Sequence, residues 1–128
     1  IGSTKWVIVG GTALNLAALV ALMLFPDSGI ILATALMAAV GFFGATYAVI
    51  IAHGRSFMPP QLVGRGMTLL NLCSIGGVGV AQFLSGRVYA ASQPAVTAQA
   101  PYVMIFTLFA ALMAAGLFVY LFSRDAGE

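Results

Sequence analysis

The chain has 128 residues, of which 62% are hydrophobic and 6% charged, with a formal net charge of +2 and a mean hydropathy of +1.08. A soluble domain carries about 25% charged residues, so this sequence cannot cover itself with a water-facing surface and reads as an integral membrane protein. The positive balance does not indicate nucleic acid, because the basic residues stand singly beside apolar runs with no basic cluster or interleaved aromatics. The single Cys73 excludes an internal disulfide and a cysteine-based metal site.

The charges Lys5, Asp27, Arg55, Arg65, Arg87, Arg124, Asp125 and Glu128 all lie at or near the ends of apolar runs. A charge at mid-bilayer costs at least about 2.5–3.5 kcal/mol on insertion scales, and the sequence avoids it. Four spans are predicted, at 6–25, 30–52, 67–91 and 102–122. The chain opens without a methionine, only a few residues before its first span, as a fragment of a longer protein would.

Span one, Trp6–Phe25, begins with the interfacial pair Lys5-Trp6 and carries a mid-span amide, Asn15. Pro26-Asp27-Ser28-Gly29 is a tight turn, short enough only for an antiparallel neighbour. Span two, Ile30–Ala52, has small residues at Thr34, Ala38, Gly41, Ala45, Ala48 and Ala52, in steps of three and four. Such a stripe lets a second helix approach closely, so helix packing is its expected role. The functional alternative is a helix bordering a cavity, with Thr34, Thr46 or Tyr47 reaching solvent.

A polar connection follows at 53–66. Pro59-Pro60 cannot continue a helix, Gln61-Leu62-Val63 suits a short helical start, and Gly64-Arg65-Gly66 lets the backbone approach a neighbour. His53 is expected at the interface, facing headgroups. Span three, Met67–Ala91, has Thr68, Asn71, Ser74, Val78, Gln82 and Ser85 within about 60° of Asn71 at 100° per residue. Unsatisfied amides in hydrocarbon cost several kcal/mol each, so Asn71 and Gln82 require a neighbouring helix or water. Gly76, Gly77 and Gly79 suit packing or hinging, and Cys73 reads as a small packing residue. Pro101 opens span four, Tyr102–Phe122, whose only interior polar residue besides Tyr120 is Thr107.

Four spans put both termini on one side with the 53–66 loop. That side holds Lys5, Arg55, Arg65 and Arg124, and the other holds Arg87 and Asp27, which predicts cytoplasmic termini and a cytoplasmic loop in the inner membrane. No carboxylate lies inside a span, so the segment offers no carboxylate proton relay. Enzymatic activity is not expected, since no metal-ligand cluster or nucleophile–base–acid set is present, and no cofactor is implied.

The stretch GRSFMPPQLVGRGMT, with Arg55, Pro59, Gly64, Arg65 and Gly66, and the following GGVGVAQFLSG resemble the major facilitator superfamily of secondary transporters. The resemblance implies helices nine to twelve of a twelve-helix fold, with the family's Asp-Arg signature just upstream of Ile1. It implies that span two lines a central cavity, that span three sits between the two halves, and that spans one and four face lipid, with Asn15 turned inward. It implies an unidentified small-molecule substrate, contacted by Thr34, Tyr47, Asn71, Ser74 and Gln82. Arg55, Pro59, Gly64 and Arg65 would act in gating at the cytoplasmic side. The partners are then the bilayer and the remaining transporter helices; without those helices, the exposed polar and small faces favour rearranged packing or a non-native dimer. The alternative is a complete small four-helix membrane protein, either a small multidrug exporter or an anchor subunit. The exporter type relies on a Glu in its first span, which this chain lacks.

Overall fold

A computed structural model of the chain describes residues 3–94 and 97–124, so the expectations for Ile1, Gly2, Asp125 and Glu128 lie outside it. Among the described residues every regular element is helical: α1 Thr4–Leu24, α2 Ile30–Gly44, α3 Thr46–Ser56, a single 3₁₀ turn Pro60–Leu62, α4 Val63–Ala91 and α5 Ala100–Leu121. With α2 and α3 taken as one span, four helices are long and apolar enough to cross a membrane by length and composition.

The helix ends follow from local chemistry. Phe25 precedes Pro26 and is driven out of the helical region, to φ −121° and ψ 57°. Gly29 then closes the turn at φ 85°, a conformation open to glycine without a side-chain clash. Span two is broken at Ala45, where the Ala45 amide donates to the Phe42 carbonyl and the Ala48 amide to that of Ala45, tight three-residue steps beside the weak helix former Gly44. Pro59 is extended, at φ −58° and ψ 143°, because Pro60 follows it.

The connection expected over 53–66 is much shorter in the fold. Helix α3 runs on through His53 to Ser56, whose hydroxyl donates to the His53 carbonyl at 2.6 Å. Helix α4 already begins at Val63, so Gly64-Arg65-Gly66 is helical instead of loop. Gly64 and Gly66 do not prevent this, because glycine adopts α-helical φ and ψ at a cost of only about 1 kcal/mol.

Helix α1 is the hub. It packs on α2, α3 and α5, and α4 closes against α3 and α5. Ile8, Asn15, Ala18, Leu19 and Leu22 of α1 are buried, whereas no residue of α2 or α4 is. This reverses the expected order, in which spans one and four were outermost. Low polarity marks a helix that tolerates lipid, but burial depends on how many neighbours reach it. Gly11 lets α3 come so close that Thr46 occupies the space a Cβ would need. Asn15 does turn inward, at 7% exposure.

The small-residue stripe of span two points the other way from expectation. Thr34, Ala38, Gly41, Ala45, Ala48 and Ala52 are all exposed, and the less exposed side of α2 and α3 is Leu36, Val40, Phe43, Thr46 and His53. The outer surface is largely apolar, with Ile30, Ile31, Phe42, Leu72, Ile75, Val119 and Phe122 all more than half exposed. Such a surface suits hydrocarbon, not water.

At one end of the bundle Lys5 Nζ donates to the Leu121 carbonyl at 2.8 Å, and His53 meets Tyr120. The start of α1, the end of α3 and the end of α5 therefore share that end.

Candidate functional site

The contacts α1–α3, α3–α4, α4–α5 and α5–α1 form a ring, and a cleft of about 760 Å³, open to the outside, lies within it. Ile8, Thr12 and Leu19 line it from α1, Val40 from α2, and Tyr47 and Ile50 from α3. Ser74, Gly77, Val78 and Ala81 form the α4 wall, and Phe109, Leu112, Met113, Gly116, Leu117 and Tyr120 the α5 wall. The α1 lining repeats at steps of four and seven, which keeps it on one helical face. The α4 wall is small and flat, so the space is not filled by side chains from that side.

Four hydroxyl residues reach this otherwise apolar cleft: Thr12, Tyr47, Ser74 and Tyr120. Two are committed to the fold. Ser74 Oγ donates to the Leu70 carbonyl at 2.8 Å, the usual backward bond of a helical serine. Tyr120 Oη lies 2.5 Å from His53 Nδ1. Thr12 and Tyr47 make no side-chain hydrogen bond among the described residues, and Tyr47 is half exposed.

His53 lies at the end of α3, as expected, but its ring is buried instead of facing outward. It is 6% exposed, stacked edge-on against Phe57 at 5.0 Å and Tyr120 at 5.8 Å between ring centres. It falls in the last turn of α3 on the helix face that carries Thr46, and that face packs inward; its position next to Gly54-Arg55 in sequence does not reveal the face.

Of the residues singled out from sequence, the cleft gathers Tyr47 and Ser74. Thr34 is exposed on α2 outside it, and Asn71 and Gln82 are exposed on α4. The inward stripe of α4 runs through Met67, Leu70, Ser74, Ala81 and Ser85, and at 100° per residue Asn71 and Gln82 sit about 60–80° to one side of Ser74. The polar arc read from the sequence therefore straddles two surfaces, one edge on the cleft and the other uncovered. Cys73 is exposed on the same helix.

Arg55, Pro59, Gly64 and Arg65 are exposed around the 3₁₀ turn. The space beside Gly64 is open, while Gly66 is the position pressed by a neighbour, the Met58 side chain. The residues that sequence reasoning missed are Thr12, His53 and Tyr120. The series Ile8, Thr12, Asn15, Leu19, in steps of four, three and four along one helix face, was the available signal for the first.

Among the described residues no cluster of three or more His, Cys, Asp or Glu side chains could hold a metal ion. Compared with protein-family models, curated proteins and solved structures, the chain matches none of them.

Proposed function

We propose that this chain is part of a secondary active transporter, a membrane protein with antiparallel spans that moves a small solute across the cytoplasmic membrane by alternating access. The observation that carries the reading is the cleft, because every helix of the chain contributes to it and it reaches the middle of the spans, where transporters of this type bind their cargo. Two uncovered faces support the membership in a larger assembly. The small-residue stripe from Thr34 to Ala52 and the amides Asn71 and Gln82 are what helix–helix contacts in lipid use, and further helices of the same protein would cover them. The shared end of α1, α3 and α5 also carries Lys5, Arg55, Arg65 and Arg124, and this positive bias supports a cytoplasmic orientation of that end under the positive-inside rule. The superfamily resemblance of the Gly54–Gly86 stretch points the same way. In this reading the Arg55–Arg65 connection takes part in cytoplasmic-side gating, and coupling ions are handled outside this segment.

The test begins with the gene. Further apolar spans encoded upstream of Ile1 and ending in an Asp-Arg loop support the reading; a start codon at Ile1 ends it in favour of a small four-helix protein. The full-length protein in proteoliposomes should then catalyse solute counterflow. Combined Asn71→Leu and Gln82→Leu substitution should reduce the rate at least tenfold, and unchanged flux would remove these amides from the mechanism.

A further inference from the structure

We infer that the cleft binds an uncharged, mostly apolar solute bearing a hydrogen-bonding group, recognised by the hydroxyls of Tyr47 and Thr12. This rests on the reading of the cleft as a substrate site. The volume of about 760 Å³ falls within the roughly 300–1,000 Å³ typical of small-molecule sites. Among the described residues no charged side chain lines it. An ion entering it would lose its hydration with no opposite charge to replace it, at a cost of several kcal/mol. Its walls, including Leu19, Val40, Val78 and Phe109, instead favour an apolar body.

The hydroxyls set the remaining requirement. Thr68, Ser74 and Thr107 all donate back to the carbonyl four residues earlier, which is how a helical hydroxyl satisfies itself in an apolar setting. Thr12 lines the cleft and does not. Tyr47 comes from the adjoining helix α3, with its hydroxyl likewise uncommitted. A phospholipid acyl chain has no group to offer either one. A solute with a hydroxyl, amide or carbonyl does, and each such bond strengthens binding about two- to tenfold.

The experiment uses the full-length protein in dodecyl maltoside and four probes that share one bicyclic body: 1-naphthol, naphthalene, 1-naphthoate and 1-naphthylmethylammonium. Tritiated 1-naphthol should bind saturably above empty-micelle partition. Naphthalene should compete several-fold more weakly, and the two ions should not compete at a hundredfold excess. Tyr47→Phe and Thr12→Val should each weaken 1-naphthol about two- to tenfold and leave naphthalene unchanged, since a lost hydrogen bond has that size. Ser74→Ala should change neither, because its hydroxyl is already spent on Leu70. Gly77→Leu, at a position where an added Cβ meets nothing within 4 Å, should fill the cleft and abolish binding. Absence of saturable binding, equal competition by either ion, displacement by phosphatidylcholine, or indifference to both hydroxyl deletions would overturn the proposal. Binding as described together with no flux of any probe in proteoliposomes would keep the ligand class and overturn transport; flux of the charged probes alone would do the reverse.

Discussion

The hydroxyl of Tyr120, one residue before the end of α5, meets Nδ1 of His53, in the last turn of α3, across 67 residues of chain. The pair joins two helix ends on one side of the cleft, and the Tyr120 ring also forms part of the cleft wall. Interhelical hydrogen bonds between membrane helices average about 0.6 kcal/mol, with a maximum near 1.7, and this one is part-buried, with Phe57 packed edge-on against the His53 ring. We expect Tyr120→Phe and His53→Phe to destabilise the full-length protein by about 0.5–2 kcal/mol each, with a coupling of at least about 0.5 kcal/mol in the double variant. Reversible unfolding in mixed micelles measures both, and strictly additive effects would show that the contact contributes nothing.

Two glycines face side chains that respond very differently to crowding. At Gly11 the obstacle is Thr46, a β-branched residue on a packed helix, with Cβ and both γ atoms close by; at Gly66 it is the flexible thioether end of Met58. Gly11→Ala should therefore cost about 1–3 kcal/mol, and Thr46→Ala should restore most of it. Gly66→Ala should stay within about 0.5 kcal/mol of the parent, because Met58 can swing aside. Thermal unfolding of these three variants and the parent decides this, and equal costs at both glycines would contradict the packing described for α1 and α3.

Asn15 is buried in the α1 interface with Oδ1 lacking a hydrogen-bond partner. A buried acceptor left unsatisfied costs about 1–3 kcal/mol. Replacing it by valine, which removes the polar group with a smaller gain in volume than leucine would bring, should hold or raise the unfolding temperature. A fall of several degrees would mean that the amide has a donor supplied by another part of the assembly.

Helix α4 runs unbroken through Gly76, Gly77 and Gly79, although each is a poor helix former, and added Cβ atoms there would meet nothing within 4 Å. Gly76→Ala and Gly79→Ala should each stabilise the chain by up to about 1 kcal/mol. If bending of α4 is part of the transport cycle, the same variants should slow flux while substrate binding is kept. Counterflow and binding measured side by side separate the two effects.

Much of this protein could be read from its residues. The apolar spans, the proline stops at Pro26 and Pro59-Pro60, the glycine turn at Gly29 and the proline start of α5 are local properties. Each depends on one residue's backbone freedom or on the transfer energy of a run, and neither needs a partner. The inward turn of Asn15 was likewise legible, because a lone amide in hydrocarbon has nowhere better to go. The helical continuation through His53 and Gly64 was less so, since charge and glycine content suggest a loop without forbidding a helix.

What only the tertiary structure decided was which face of each helix meets another. A small-residue stripe and a polar arc both signal contact, yet the stripe from Thr34 to Ala52 faces outward and the arc of α4 is split between the cleft and an open surface. Helix α1, the least remarked in sequence, became the hub because Gly11 admits α3 and its other faces admit α2 and α5. Periodicity ranks the faces of one helix by chemistry, but packing is settled between helices, by which surfaces fit closest. That is why Tyr47 and Ser74, singled out by their own helix faces, line the cleft, whereas Thr12, His53 and Tyr120, whose contacts exist only in relation to distant residues, carry no such local mark.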